Sequence, residues 1–144
     1  MLARRRVRHD WRRLEALVRD LPAGPAGGPG RSLDQHLHQV RKAAKRVRYA
    51  AETAQPVSGP SMQRLREEAA RFQETLGAHQ DALVLEEYAG RLGRQAAREG
   101  EATGTYEVVA RVAATEAERL AAGFPALWER LELSRRPRRG LAGR

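Results

Sequence analysis

Residues 37–52 read LHQVRKAAKRVRYAAE, and this stretch decides the fold class that we predict for the chain. Its small and aliphatic residues recur at alternating steps of three and four, which is the spacing of one face of an amphipathic helix. The members of this apolar row are Leu37, Val40, Ala44, Val47, Ala51 and, just beyond the stretch, Ala54. The pattern predicts a long helix that buries the row against neighbouring elements.

Basic side chains crowd the side of this helix next to the apolar row. At about 100° per residue they sweep roughly 160° of its surface. Together with the one tyrosine among them, they form what we call the basic face: His38, Arg41, Lys42, Lys45, Arg46, Arg48 and Tyr49. Glu52 is the only acid of the stretch, so the repulsion between cations four residues apart, such as Arg41 and Lys45, is not compensated within it. An external anion is the natural counter-charge, although a charge run is often only a solvated face.

The composition of the whole chain also favours a polyanionic partner. The 144 residues carry a formal net charge of +9, and their number fits one domain. Nucleic acid, an anionic membrane surface and polyphosphate are the partners that such a charge attracts. The chain has no cysteine, no secretory signal and no apolar run long enough to span a membrane. We therefore expect a cytoplasmic protein without a membrane partner.

Four helices and no strands are predicted along the chain. The three-four spacing recurs in every long segment, whereas the period-two alternation of a strand is absent. The predicted helices cover residues 3–21, 33–55, 61–99 and 104–132. The second is expected to end before Pro56, and residues 133–144 are expected to form a disordered basic tail. Short connections between four helices favour an all-α antiparallel four-helix bundle over residues 1–132.

The first predicted helix repeats the arrangement of the second. Its apolar row contains Val7, Trp11, Leu14, Val18 and Leu21. A supporting basic flank lies beside this row and consists of Arg5, Arg8 and Arg12, with further arginines nearby. Two such helices packed side by side would line a shared cationic groove.

The sequence contains no recognisable catalytic or metal-binding constellation. His36 and His38 are two residues apart and so fall on different sides of a helix, where they cannot easily ligate one ion. No P-loop, dinucleotide fingerprint or Ser-His-Asp order is present. We therefore predict a protein that is not an enzyme and that binds neither a metal nor a cofactor. His79 falls on the apolar row of the third helix, where a histidine is more often a core residue than a ligand.

Two segments of the chain, taken together, resemble the conserved histidine α-helical domain, or CHAD, family. Residues 38–49, HQVRKAAKRVRY, are similar to the HxxRKxxKRxRY signature of that family at all seven positions of the basic face. Residues 72–81, FQETLGAHQD, are similar to its LQxxLGxHxD-type segment, with Phe72 in place of the leading leucine. The matching positions there are Gln73, Leu76, Gly77, His79 and Asp81. The resemblance extends over most of residues 4–132.

The resemblance implies an all-helical fold and a ligand. Members of the family have two related four-helix halves around a basic cavity that binds inorganic polyphosphate. It therefore implies non-catalytic binding of polyphosphate by the basic face, with His79 supporting the cavity. Only one signature helix is found, so the chain looks like the C-terminal half of such a domain, as a fragment or as a half that pairs into a homodimer. A CYTH-type triphosphate-tunnel domain, to which family members are often fused, is a candidate partner in trans.

Non-specific binding to a nucleic-acid backbone is the alternative function. The net charge permits it, and arginine can read guanine. Aromatic residues make up only 5% of the chain, and only Tyr49 lies on the basic face, so a platform for base stacking is missing. Competition between polyphosphate and DNA distinguishes the two functions.

Overall fold

The computed structural model describes residues 2–21 and 31–136, with the backbone alone at residues 31–34. It contains four α-helices, which are α1 (Leu2–Arg19), α2 (Arg31–Ser58), α3 (Pro60–Arg98) and α4 (Gly104–Arg135). No strand occurs in the described ranges, and the predicted all-α helical fold is confirmed. None of these helices is both long and apolar enough to cross a membrane.

The chain divides into two compact units. The first contains residues 1–73 and 125–144, and thus α1, α2, the beginning of α3 and the end of α4. The second contains residues 74–124, and thus the remainder of α3 and α4, joined by the turn at residues 99–103. The basic face belongs to the first unit.

The apolar row of α2 forms much of the core of the first unit. Val40, Ala44 and Val47 are completely buried, as are the alanines at the end of the row, whereas Leu37 is half-buried. On α1, Val7, Trp11 and Leu14 are buried. The helical spacing read from the sequence therefore predicts most of the apolar side chains that α1 and α2 bury, although Val18 and Leu21 of the α1 row are only half-buried. Most of the buried α2 residues are alanines, which allow neighbouring helices to approach closely.

Ring contacts among three aromatic side chains pack the end of α4 against the rest of the first unit. The rings of Trp11 and Trp128 stack with their centroids 5.5 Å apart, and Phe72 meets Trp128 at a centroid distance of 5.7 Å. Arg135 then places its guanidinium carbon 5.0 Å from the Trp11 ring. The start of the predicted disordered tail is thus helical as far as Arg135, while residues 137–144 lie outside the described residues.

The junction between α2 and α3 corrects the predicted helix end. We expected α2 to stop before Pro56, but it continues to Ser58. A proline in the last turn removes only one hydrogen bond, and the helix ends instead where Gly59 takes a φ of 65°. The N–H of Gly59 donates to the carbonyl of Gln55 at 2.9 Å, and Pro60 then occupies the first position of α3, which suits its fixed φ.

Small residues are buried on both helical segments of the second unit. Ala89 and Ala96 on α3, and Ala113 and Ala117 on α4, are buried. Gly93 completes this surface, because a Cβ atom added there would stand only 3.1 Å from Cβ of Tyr106. Several larger apolar side chains of this unit remain exposed, namely Val84, Leu85, Tyr88, Val108 and Val112.

Candidate polyanion-binding site

The basic face presents most of its charged groups to solvent. His38, Lys42, Lys45 and Arg46 are exposed, and Tyr49 retains 46% of its accessible surface. Arg41 and Arg48 are half-buried. The seven residues lie on one side of α2 because four of the intervening positions are buried in the core of the first unit. The side chains are therefore available to a ligand along three turns of one helix.

The ring of Tyr49 makes cation–π contacts with two of these cations. The guanidinium carbon of Arg48 lies 4.8 Å from the ring centroid, and Nζ of Lys45 lies 5.7 Å from it. Both distances are within the range in which a cation is attracted by the negative face of an aromatic ring. The ring thus holds two positive groups close together at the C-terminal end of the basic face.

The cations of the basic face have no carboxylate partner among the described residues. The ion pairs in these ranges are Arg6–Asp10, Arg66–Glu67, Arg119–Glu116 and Arg130–Glu68. Elsewhere on the surface, hydrogen bonds from Arg119 keep the pKa of Glu116 below its ordinary value. Nε of Arg48 is buried and has no hydrogen-bond partner. The positive charge of the face is therefore left for an external anion.

A cleft between α1 and α2 adjoins one edge of the basic face. It has a volume of about 280 Å³, and its lining consists of Ala3, Arg6, Asp10, Arg46, Tyr49, Ala50 and Thr53. Nε of Arg6 donates to Oδ2 of Asp10 at 2.9 Å. The side chain of Asp10 is only 3% exposed, whereas that of Arg6 is 65% exposed. The two packed helices therefore share a cleft that contains charges of both signs.

The cation that α1 contributes to this cleft is not one that the sequence analysis singled out. Arg5, Arg8 and Arg12 are exposed, but none of them lines the cleft. They lie about 100° to 160° around α1 from Arg6, on the opposite flank. Asp10 was also missed, although it is the only acid in the first fourteen residues and stands three residues after Val7 on the apolar row.

A comparison of the chain with known protein families found a match. The model of the CHAD domain family matches residues 1–90, which include both α2 and the segment 72–81. This chain belongs to the CHAD domain family. CHAD domains are associated with polyphosphate binding. Searches of curated proteins and of solved structures returned no match.

The second CHAD segment of the chain runs across the boundary between the two units. Phe72 and Gln73 belong to the first unit, where Phe72 is buried and Oε1 of Gln73 is buried without a hydrogen-bond partner. Leu76, His79 and Asp81 belong to the second unit, where Leu76 is buried, His79 is half-buried and Asp81 is exposed. The supporting role of His79 stays a prediction.

The described ranges contain no group of three or more histidine, aspartate or glutamate side chains that could hold a metal ion. The prediction of a protein without a metal rests on the sequence pattern alone.

Proposed function

We propose that this CHAD-family chain binds inorganic polyphosphate without cleaving it, and that the basic face of α2 is the binding surface. One observation carries the proposal: no ion pair joins a cation of this face to a carboxylate among the described residues. Polyphosphate has one negative charge per bridging phosphate and no bases. Arginine and lysine donate charge-assisted hydrogen bonds to phosphoryl oxygens, and arginine does so in a bidentate manner.

The different burial of the cations suits an extended ligand. Arg41 and Arg48 are half-buried, so these side chains lose less conformational freedom when a ligand binds than fully exposed ones do. The exposed Lys42, Lys45 and Arg46 adapt to successive phosphates along the chain. Binding is expected to weaken steeply with salt, because the released counterions oppose association at high ionic strength.

The placement of Tyr49 favours polyphosphate over nucleic acid. Tyr49 is the one aromatic residue of the basic face, and its ring is already in contact with Arg48 and Lys45. A base that stacks on Tyr49 has to compete with these cations. Contacts to the DNA backbone would remain, but they would be weak and independent of sequence.

The proposal extends to two protein partners. A second copy of the chain would provide the related half that other CHAD domains contain, and a twofold dimer is the commonest way for two copies to associate. The exposed apolar side chains of the second unit supply a surface for such contact. A CYTH-type domain in trans would supply the catalysis that we do not assign to this chain. Light scattering of the purified chain, alone and with a CYTH-type protein, tests both partners.

Calorimetric titration of the chain with medium-chain polyphosphate, at two salt concentrations and with duplex DNA as competitor, tests the proposed function. We expect binding that DNA does not displace and that the combined substitutions Arg41→Ala, Lys45→Ala and Arg48→Ala abolish, with unchanged helical content by circular dichroism. Equal or tighter binding of DNA would assign the face to nucleic acid. Phosphate release from polyphosphate in the presence of Mg²⁺ would contradict the non-catalytic role.

A further inference from the structure

The α1–α2 cleft adjoins the basic face at Arg46 and Tyr49, and we infer that it is a further phosphoryl subsite. In this subsite Arg6 and Arg46 bind a phosphoryl group of the polyanion, and Asp10 positions Arg6. The inference rests on the proposed function, because it extends the path of the same ligand beyond the residues of the CHAD signature.

The charges on α2 limit where an anion can leave the basic face. Glu52 is exposed one turn beyond Arg48 and Tyr49, within the angular range that the cations occupy. Beyond it lies a groove at the end of α2, and its lining contains no basic residue: Glu52, Gln55, Pro56, Gly59, Pro60 and Gln63. An anion that follows α2 in this direction therefore meets a carboxylate and then a groove whose lining contains no cation, although Nε of Arg4 donates to Oγ of Ser58 at 3.0 Å at the end of the helix.

The cleft offers the anion an alternative direction. Arg46 and Tyr49 belong both to the basic face and to the lining of the cleft, so the two surfaces are continuous. Arg6 adds a second guanidinium from α1. A ligand that turns at Arg46 thus passes from one cation to another without crossing an acidic surface.

The ion pair of Arg6 explains how the second guanidinium is held at the cleft. The contact with Asp10 uses Nε of Arg6, so the two terminal nitrogens remain able to donate to phosphoryl oxygens. The side chain of Asp10 is fixed because it is buried on the edge of the apolar row, whereas Arg6 is largely exposed. A buried carboxylate needs a compensating charge, and the pairing neutralises the one acid that would repel the ligand.

Removal of the whole ion pair provides a test at constant net charge. The full chain with Arg6→Gln and Asp10→Leu loses one positive and one negative group, and leucine suits a buried position on the apolar row. We expect its affinity for medium-chain polyphosphate to fall about fivefold to tenfold, because the charge-assisted hydrogen bonds that Arg6 donates to phosphoryl oxygens are lost. Arg98→Gln is the control, because Arg98 is exposed in the second unit and its loss is expected to change affinity by less than about twofold.

Asp10→Leu alone tests the positioning role. This variant gains one unit of net positive charge. If polyphosphate responded only to the net charge of the chain, it would bind the variant more tightly. If Asp10 positions Arg6, the variant binds more weakly, because the Arg6 side chain is no longer held at the cleft. We expect weaker binding with an unchanged melting temperature or a raised one. Tighter binding would overturn the role of Asp10, and an unchanged affinity in the double variant would overturn the subsite while the proposed function stands. A wild-type chain that does not bind polyphosphate would overturn both.

Discussion

Arg48 and Tyr49 are neighbours in sequence, and the guanidinium carbon of Arg48 lies 4.8 Å from the centroid of the Tyr49 ring. Lys45 reaches the same ring from one turn earlier, at 5.7 Å. Cations that repel one another are thus held by an attraction to a shared aromatic ring. The tyrosine of the basic face therefore has a role that does not depend on its hydroxyl group.

Substitution of Tyr49 separates the role of the ring from that of the hydroxyl. Tyr49→Phe keeps the ring, and we expect its affinity for polyphosphate to stay within about twofold of wild type. Tyr49→Leu removes the ring, and we expect a loss of about twofold to fivefold for each of the two cation–π contacts, since an exposed contact of this kind contributes about 0.5–1 kcal/mol. Calorimetric titration of both variants measures the difference. A large loss in the phenylalanine variant would instead assign binding to the hydroxyl.

We expect the salt dependence of binding to be proportional to the number of phosphate contacts that the basic face makes. Lys45→Gln and Arg46→Gln each remove one exposed cation, and we expect each to reduce the slope of log affinity against log salt by about one. Titrations at four or more salt concentrations provide the slope for each variant. Arg98→Gln serves as the charge-matched control. An equal fall of the slope in this control would show that the slope depends on the net charge of the chain and not on contacts at the basic face.

Features of this fold that depend on residues close together in sequence are predictable, whereas features that depend on contacts between helices are not. The buried row of α2 is predictable because helical periodicity is local, and Val40, Ala44 and Val47 are all buried. The path of α2 through Pro56 was missed because its end is determined by Gly59, whose positive φ is not visible in a pattern of apolar residues.

The candidate site is also only partly predictable from local sequence patterns. The exposed cations of α2 follow from the helical periodicity of residues 37–52. Arg6 and Asp10 were missed, because the packing of α1 on α2 determines which flank of α1 lines the cleft. An acid within a run of arginines has the pattern of a surface charge, whereas Asp10 is buried.

The end of α4 is expected to contribute to the stability of the first unit. Trp128→Ala removes the ring that packs between Trp11 and Phe72, and we expect a loss of about 3–5 kcal/mol in the free energy of unfolding. Arg135→Ala removes only the contact with Trp11, with an expected loss of about 0.5–1 kcal/mol. Urea unfolding followed by tryptophan fluorescence measures both. The exposed Arg136 is the control, and Arg136→Ala is expected to have no effect.

Two glycines in the second unit allow a matched test of helix packing. Gly93 and Gly123 both lie inside helices, where alanine in place of glycine stabilises by about 0.5–1 kcal/mol if there is space for the methyl group. No atom lies within 4 Å of the Cβ position at Gly123, whereas Cβ of Tyr106 lies 3.1 Å from that position at Gly93. We therefore expect Gly123→Ala to raise the melting temperature and Gly93→Ala to lower it. Equal stabilisation by both substitutions would mean that α3 and α4 approach less closely at Tyr106 than the structure shows.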